Sequence, residues 1–188
     1  VCQDGSPAGY SFWVVNGTDL KWEYRSITGG NNTQIRAYDM NKVKQFMSTD
    51  PYAVACVKKY GATVVPNFST YASNAIVTNV FNYDSDWKVE VYEGADTKLM
   101  ANRIYEFDPY HVLAFDVMRY KAAASINTGF ATIKNLHLFR SYAKTANLPI
   151  TIKVTDHFGR VHYKTFQRPM AFSLDMVDQQ VDGDLGDV

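Results

Sequence analysis

The chain has 188 residues, 46% of them hydrophobic and 20% charged, and its nineteen basic residues balance nineteen acidic ones. That length buries a real core in one domain or two small ones, while a net charge of zero lacks the basic excess by which nucleic-acid binders neutralise phosphates. No apolar run approaches the ~18 residues needed to cross a bilayer as a helix, and no charged start leads into an apolar signal sequence.

The chain begins at Val1 rather than Met and so reads as a fragment or a processed form, which leaves the location of its parent open. Aromatics reach 14%, with 13 Tyr and 11 Phe, a usage that favours pleated, half-buried surfaces and therefore β structure. Two cysteines, Cys2 and Cys56, are too few for a disulfide scaffold or a structural zinc site. A Cys2–Cys56 bridge and a buried free thiol at Cys56 both remain open. The sequons at Asn16, Asn31 and Asn67 matter only in a eukaryotic secreted protein.

In chain order, GYSFWVVNGTDLKWEYRSI predicts two strands joined at Asn16-Gly17, the pair preferred in a type I′ turn. Leu20, Trp22 and Tyr24 alternate with Lys21, Glu23 and Arg25, the period of a half-exposed strand. Phe12 and Trp13 sit in a strand apolar on both faces. Gly29 to Thr33 reads as a flexible loop and Gln34–Asp39 as a short strand. NKVKQFM predicts one short helix. A second, DPYAVACVKKYG, carries Asp50 as cap, Pro51 at the first position, Lys58 and Lys59 at the carboxyl end and Gly61 as terminator. Ala62–Asn74 reads as an irregular linker.

Beyond it, strands are predicted at Ala75–Asn82, Trp87–Glu93, Lys98–Phe107, Lys134–Ala143, Ile150–Thr155 and Val161–Gln167, with a helix opening at Asp108-Pro109. Gly159 marks the turn in DHFGR. Short strands at this spacing predict a mainly β protein, an immunoglobulin-like β-sandwich with an N-terminal hairpin segment and a few short helices. The domain reading is residues 1–74 for the hairpin and short helices, extending toward a neighbouring domain, 75–173 for the sandwich and 174–188 for an acidic tail.

Within NVFNYDSDWKVEVYEG, Asp84, Asp86, Glu90 and Glu93 lie among aromatics. Trp87, Val89 and Val91 share one strand face, which leaves Glu90 beside Lys88 and in water, while Asp84-Ser85-Asp86 forms a turn through its own short side chains. A catalytic carboxylate pair would have to converge in a concave site, so these residues read as a turn and a strand. Trp22, Trp87, Val89 and Val91 are expected in the core, with stacking on a sugar or base as the competing role for exposed tryptophans. Asp156, His157 and His162 meet around one turn, where solvated turn residues are favoured over a weak metal site.

The stretch AIVTNVFNYDSDWKVEVYEG resembles the C-terminal accessory domain of bacterial calcineurin-like metallophosphoesterases. DGSPAGY, LKWEYRS, IRAYD, FDP and ITIKVTDHFGRVHY agree with it in order, although Phe81 and Tyr83 stand where tryptophan is expected. The resemblance implies a sandwich-like module beside a two-metal phosphoesterase domain of the same polypeptide, in an exported or cell-envelope parent. The family's metal-binding motifs, Asp-x-His, Gly-Asn-His and Gly-His-x-His, are absent here, and Gly-Asp occurs only at Gly183-Asp184 and Gly186-Asp187 with no histidine near. No other nucleophile or phosphate-loop motif is present.

The expectation is therefore a chain with no catalytic residues, no metal ligands and no cofactor of its own, whose parent holds two divalent metal ions. Its expected partner is the catalytic domain, met through an apolar patch at Phe12, Trp13 and Val15. An independent β-sandwich binding carbohydrate or protein is the alternative, and a small hydrolase the third reading.

Overall fold

The structure is a computed structural model that describes residues 2–27 and 33–183, with side chains as far as residue 177. Most of the Gly29–Thr33 loop and the Gly-Asp steps at the carboxyl end lie outside the described residues.

Strands β1 (Gly9–Asn16) and β2 (Asp19–Ser26) form an antiparallel hairpin in register from Gly9↔Ser26 to Asn16↔Asp19. That register keeps Asn16 in the ladder and puts Gly17 and Thr18 at the two central turn positions. Gly17 has φ 62°, and Thr18 is not among the positive-φ residues. The turn therefore has the type II′ pattern, with glycine first, rather than type I′ centred on Asn-Gly.

β3 (Ile35–Asp39) leads into α1 (Met40–Thr49), whose first turn is capped by the Asp39 carboxylate accepting from the Asn41 amide. Asp50 caps α2 (Pro51–Tyr60) by accepting from the amides of Tyr52 and Ala53 at 3.0 and 2.9 Å, and Gly61 ends the helix at φ 78°. Met40, Val43 and Met47 of α1, with Ala53 and Cys56 of α2, are buried. Both cysteines are free, Cys2 exposed and Cys56 buried, which removes the disulfide alternative.

β3 pairs antiparallel with β4 (Ala75–Val80), and both strands are buried at every position. The expected boundary at 74/75 thus falls between hydrogen-bonded neighbours of one sheet. The segment taken as a linker also buries Val65 and Phe68, so it packs into the body rather than separating two parts.

β5 (Lys88–Glu93) and β6 (Thr97–Leu99) follow, then β7 (Asn102–Phe107). The strand expected over Lys98–Phe107 is two, because the chain crosses between sheets at Met100-Ala101: β6 pairs with β5, and β7 pairs with β8 (Lys134–Tyr142) through a bulge between Ile104 and Glu106. Between them Asp108 caps a continuous helical run of α3 (Pro109–His111), a π-helical turn (Val112–Val117) and α4 (Met118–Ala123). β9 (Ile150–Thr155), β10 (Val161–Phe166) and β11 (Gln180–Gly183) complete the chain.

The sheets are ordered β3-β4-β8-β7 and β11-β10-β9-β5-β6, with the β1-β2 hairpin apart. The protein is mainly β. The two larger sheets contribute to one hydrophobic cluster that includes Ile35, Val77, Trp87, Leu138 and Ile152, an arrangement compatible with a sandwich. Residues assigned to an acidic tail do more than expected: Met176 is fully buried and β11 extends the five-stranded sheet along β10.

Candidate functional site

The four carboxylates of the Asn79–Gly94 stretch do not converge. The Trp87 amide donates to the Asp84 carbonyl at 3.1 Å and the Ser85 amide to Asp84 Oδ1 at 2.6 Å, closing a turn. Asp86 meets His157 in an exposed pair. Glu90 is 6% exposed, not in water as its alternation with Trp87 implied. Lys98, brought across from β6, donates at 2.5 Å, and Lys88 lies at 3.1 Å. Lys98 foremost, then Lys88, holds the Glu90 carboxyl down to about 2.

Glu93, also buried, accepts from the amides of Lys144 and Thr145 at 2.7 and 2.8 Å and from the Thr145 hydroxyl at 2.6 Å. Burial works to raise its pKa, but these bonds hold it below the usual carboxylate value. Each carboxylate is consumed by its own local partners. Trp87 is 7% exposed and Val91 buried, whereas Val89 and Trp22 are half-buried; Trp22 stacks on Trp87 at 6.3 Å.

The Asp156 turn is likewise saturated. Asp156 accepts from the amides of Phe158 and Arg160 at 2.8 and 2.9 Å and from Arg160 Nε at 2.6 Å; His162 stands 4.0 Å away and His157 faces Asp86. Among the described residues no three His, Cys, Asp or Glu side chains are placed to hold a metal ion.

One polar line escaped the sequence reading because its members are spread over a helix and a loop. His111 Nδ1 lies 2.6 Å from the Thr132 hydroxyl, which donates to Asp116 Oδ2 at 2.9 Å, and all three residues are buried. With its proton committed to the carboxylate, the hydroxyl accepts from His111, the reverse of an activated nucleophile.

Burial pushes Asp116 up to about 6 and His111 down to about 4; Asp108, Asp4 and Arg119 also act on His111, and Arg119 on Asp116. A raised carboxyl pKa gives a contribution that is complete below the unfolded value near 4 and lost as pH rises through about 6. His111 does the opposite, contributing fully above 6.5 and losing that contribution as pH falls through about 4. Asp116→Asn should therefore gain on the wild type by about 2–3 kcal/mol between pH 4 and pH 7 in urea unfolding. A difference that stays flat across this range would contradict the assignment.

The hairpin is the feature left with unspent surface. Its β2 side is fixed to the body: Arg160 reaches Glu23 Oε2 at 2.9 Å and the Trp22 carbonyl at 2.6 Å, and Gln34 donates to the Tyr24 carbonyl at 2.6 Å. Beyond those anchors it is open, with Phe12, Trp13 and Val15 exposed at 45%, 54% and 69%. They do not form one face. Register places Trp13 opposite Trp22 and Val15 opposite Leu20 on one side, while Phe12 shares the other with Tyr10, Val14 and Arg25, whose guanidinium lies 4.9 Å from the Phe12 ring. Tyr10, Val14 and Leu20 are exposed too, so β1 is apolar on both faces, while β2 adds Lys21, Glu23 and Arg25 to the face of Phe12.

The segment entering the arm is held tightly. Asn79 and Asn135 donate to the Asp4 carbonyl at 3.0 and 2.9 Å, the buried Arg36 donates to the Gly5 carbonyl at 2.6 Å, and the Tyr24 hydroxyl donates to the Pro7 carbonyl. Gly5, at φ 85°, leaves no room for a side chain: a Cβ there would lie 2.0 Å from Asp108 Cγ.

Fold and surface together define a β-rich module whose acidic clusters are paired locally and whose projecting arm exposes apolar residues on both faces. The chain belongs to the family described as the C terminal of calcineurin-like phosphoesterase, whose family model matches residues 1–162. No curated protein matches it, and no solved structure does. Membership implies a catalytic domain in the same polypeptide. Among the described residues no helix is long and apolar enough to cross a membrane.

Proposed function

We propose that this chain is a non-catalytic accessory domain that packs against the phosphoesterase domain of its own polypeptide, where two divalent metal ions carry the hydrolysis. The observation behind the reading is the arm, whose exposed apolar residues on both faces are a surface that a soluble module keeps for a partner. The saturation of each acidic cluster by lysine, arginine or backbone amides supports a structural rather than a chemical role for them. An exported or cell-envelope location belongs to the same reading and rests on family resemblance, and an immunoglobulin-like kinship of the sandwich belongs to it on the spacing of its short strands. In the alternative, an independent carbohydrate- or protein-binding module, Trp13 would serve as the stacking platform.

The expected result is catalytic silence: this chain, given manganese, zinc or iron, does not turn over an aryl phosphate. Measurable turnover that disappears in His157→Ala or His162→Ala would overturn the reading.

A further inference from the structure

We infer that β1 docks by strand addition, the outer edge of Gly9–Asn16 pairing with an edge strand of the phosphoesterase domain in the same polypeptide. The inference rests on the docking reading above and specifies its geometry. In a two-residue hairpin the residues flanking the turn exchange both backbone hydrogen bonds, so Asn16, Val14, Phe12 and Tyr10 bond to β2. The amides and carbonyls of Ser11, Trp13 and Val15 consequently point away from β2, and among the described residues no strand pairs with that edge.

The sheet edges at β6 and β7 are guarded. β6 is three residues long with Lys98 at its centre, and β7 carries Arg103 and a bulge between Ile104 and Glu106. β1 has none of these devices: eight residues, no proline, no charge and an unbroken register. Its apolar run on both faces is the composition of a strand inside a sheet, covered above and below, rather than one lying flat on a surface.

The entering chain selects the occupant. Asp4 and Gly5 are pinned into the body, and β1 begins four residues after Gly5, a reach of at most about 14 Å. A domain that precedes this module in the polypeptide starts beside the arm.

Residue-resolved hydrogen exchange on the full-length phosphoesterase tests this. Strand addition predicts that the Ser11, Trp13 and Val15 amides are slowed by roughly a hundredfold or more relative to an open edge, as paired strands are. Ser11→Pro removes one outward N–H and leaves the β1–β2 ladder intact, so Trp13 and Val15 should lose protection while Phe12 and Val14 keep theirs. Where the variant disturbs Phe12 and Val14 as well, the wild-type pattern decides alone.

Open outward amides with a shielded Trp13 side chain would overturn strand addition and leave domain packing standing. Open amides with an accessible Trp13 would overturn both. Protection that rises with protein concentration would assign the edge to a second copy and overturn the inference.

Discussion

Replacing Trp87 by alanine is expected to cost about 3–5 kcal/mol, the range for a buried large aromatic. Trp87 is 7% exposed, stacks on Trp22 at 6.3 Å and meets the edge of Tyr83 at the same centroid distance. Its removal opens a cavity at the start of β5 and also takes away the surface on which Trp22, and through it the arm, is seated. Two readouts separate these effects: urea unfolding gives the loss of stability, and exchange of the β2 amides reports the loosened arm. A loss well under 1 kcal/mol would mean that the ring contributes little to the core.

Asp108→Ala is expected to cost a similar amount, about 3–5 kcal/mol, because it strips the acceptor from a group of buried donors. Asp108 is fully buried; its Oδ2 accepts from the Tyr38 hydroxyl at 2.5 Å and from Asn79 Nδ2 at 2.8 Å, and its Oδ1 caps the helix at the His111 amide at 3.0 Å. Asn79 in turn holds the Asp4 carbonyl, so the same change frees the entry segment. Asp108→Asn keeps an acceptor oxygen and should recover part of the loss. Equal losses for alanine and asparagine would show that the charge matters more than the acceptor.

Much of the fold was legible because its signals are local. The alternation of Leu20, Trp22 and Tyr24 marked β2, and Asp50-Pro51 with Gly61 bracketed α2. What stayed hidden depends on which strand lies beside which. Glu90 is buried because β6 brings Lys98 over it, a neighbour that no alternation pattern names.

The break between β6 and β7 carries no glycine or proline, and β11 is too short and polar to announce itself. The exposed arm could be anticipated from a strand apolar on both faces. Its division into two faces required the register, which puts Phe12 opposite to the side shared by Trp13 and Val15.

Hydroxyl-radical footprinting of the full-length phosphoesterase tests the central claim most directly, because the arm carries its own reference. Phe12, Trp13 and Val15 are 45%, 54% and 69% exposed in this module, and Met100, on the crossover between β6 and β7, is 77% exposed. Packing against the catalytic domain predicts that the first three are shielded in the full-length protein while Met100 is labelled heavily. Labelling of Phe12, Trp13 and Val15 in proportion to the exposure they have in this module would contradict the account.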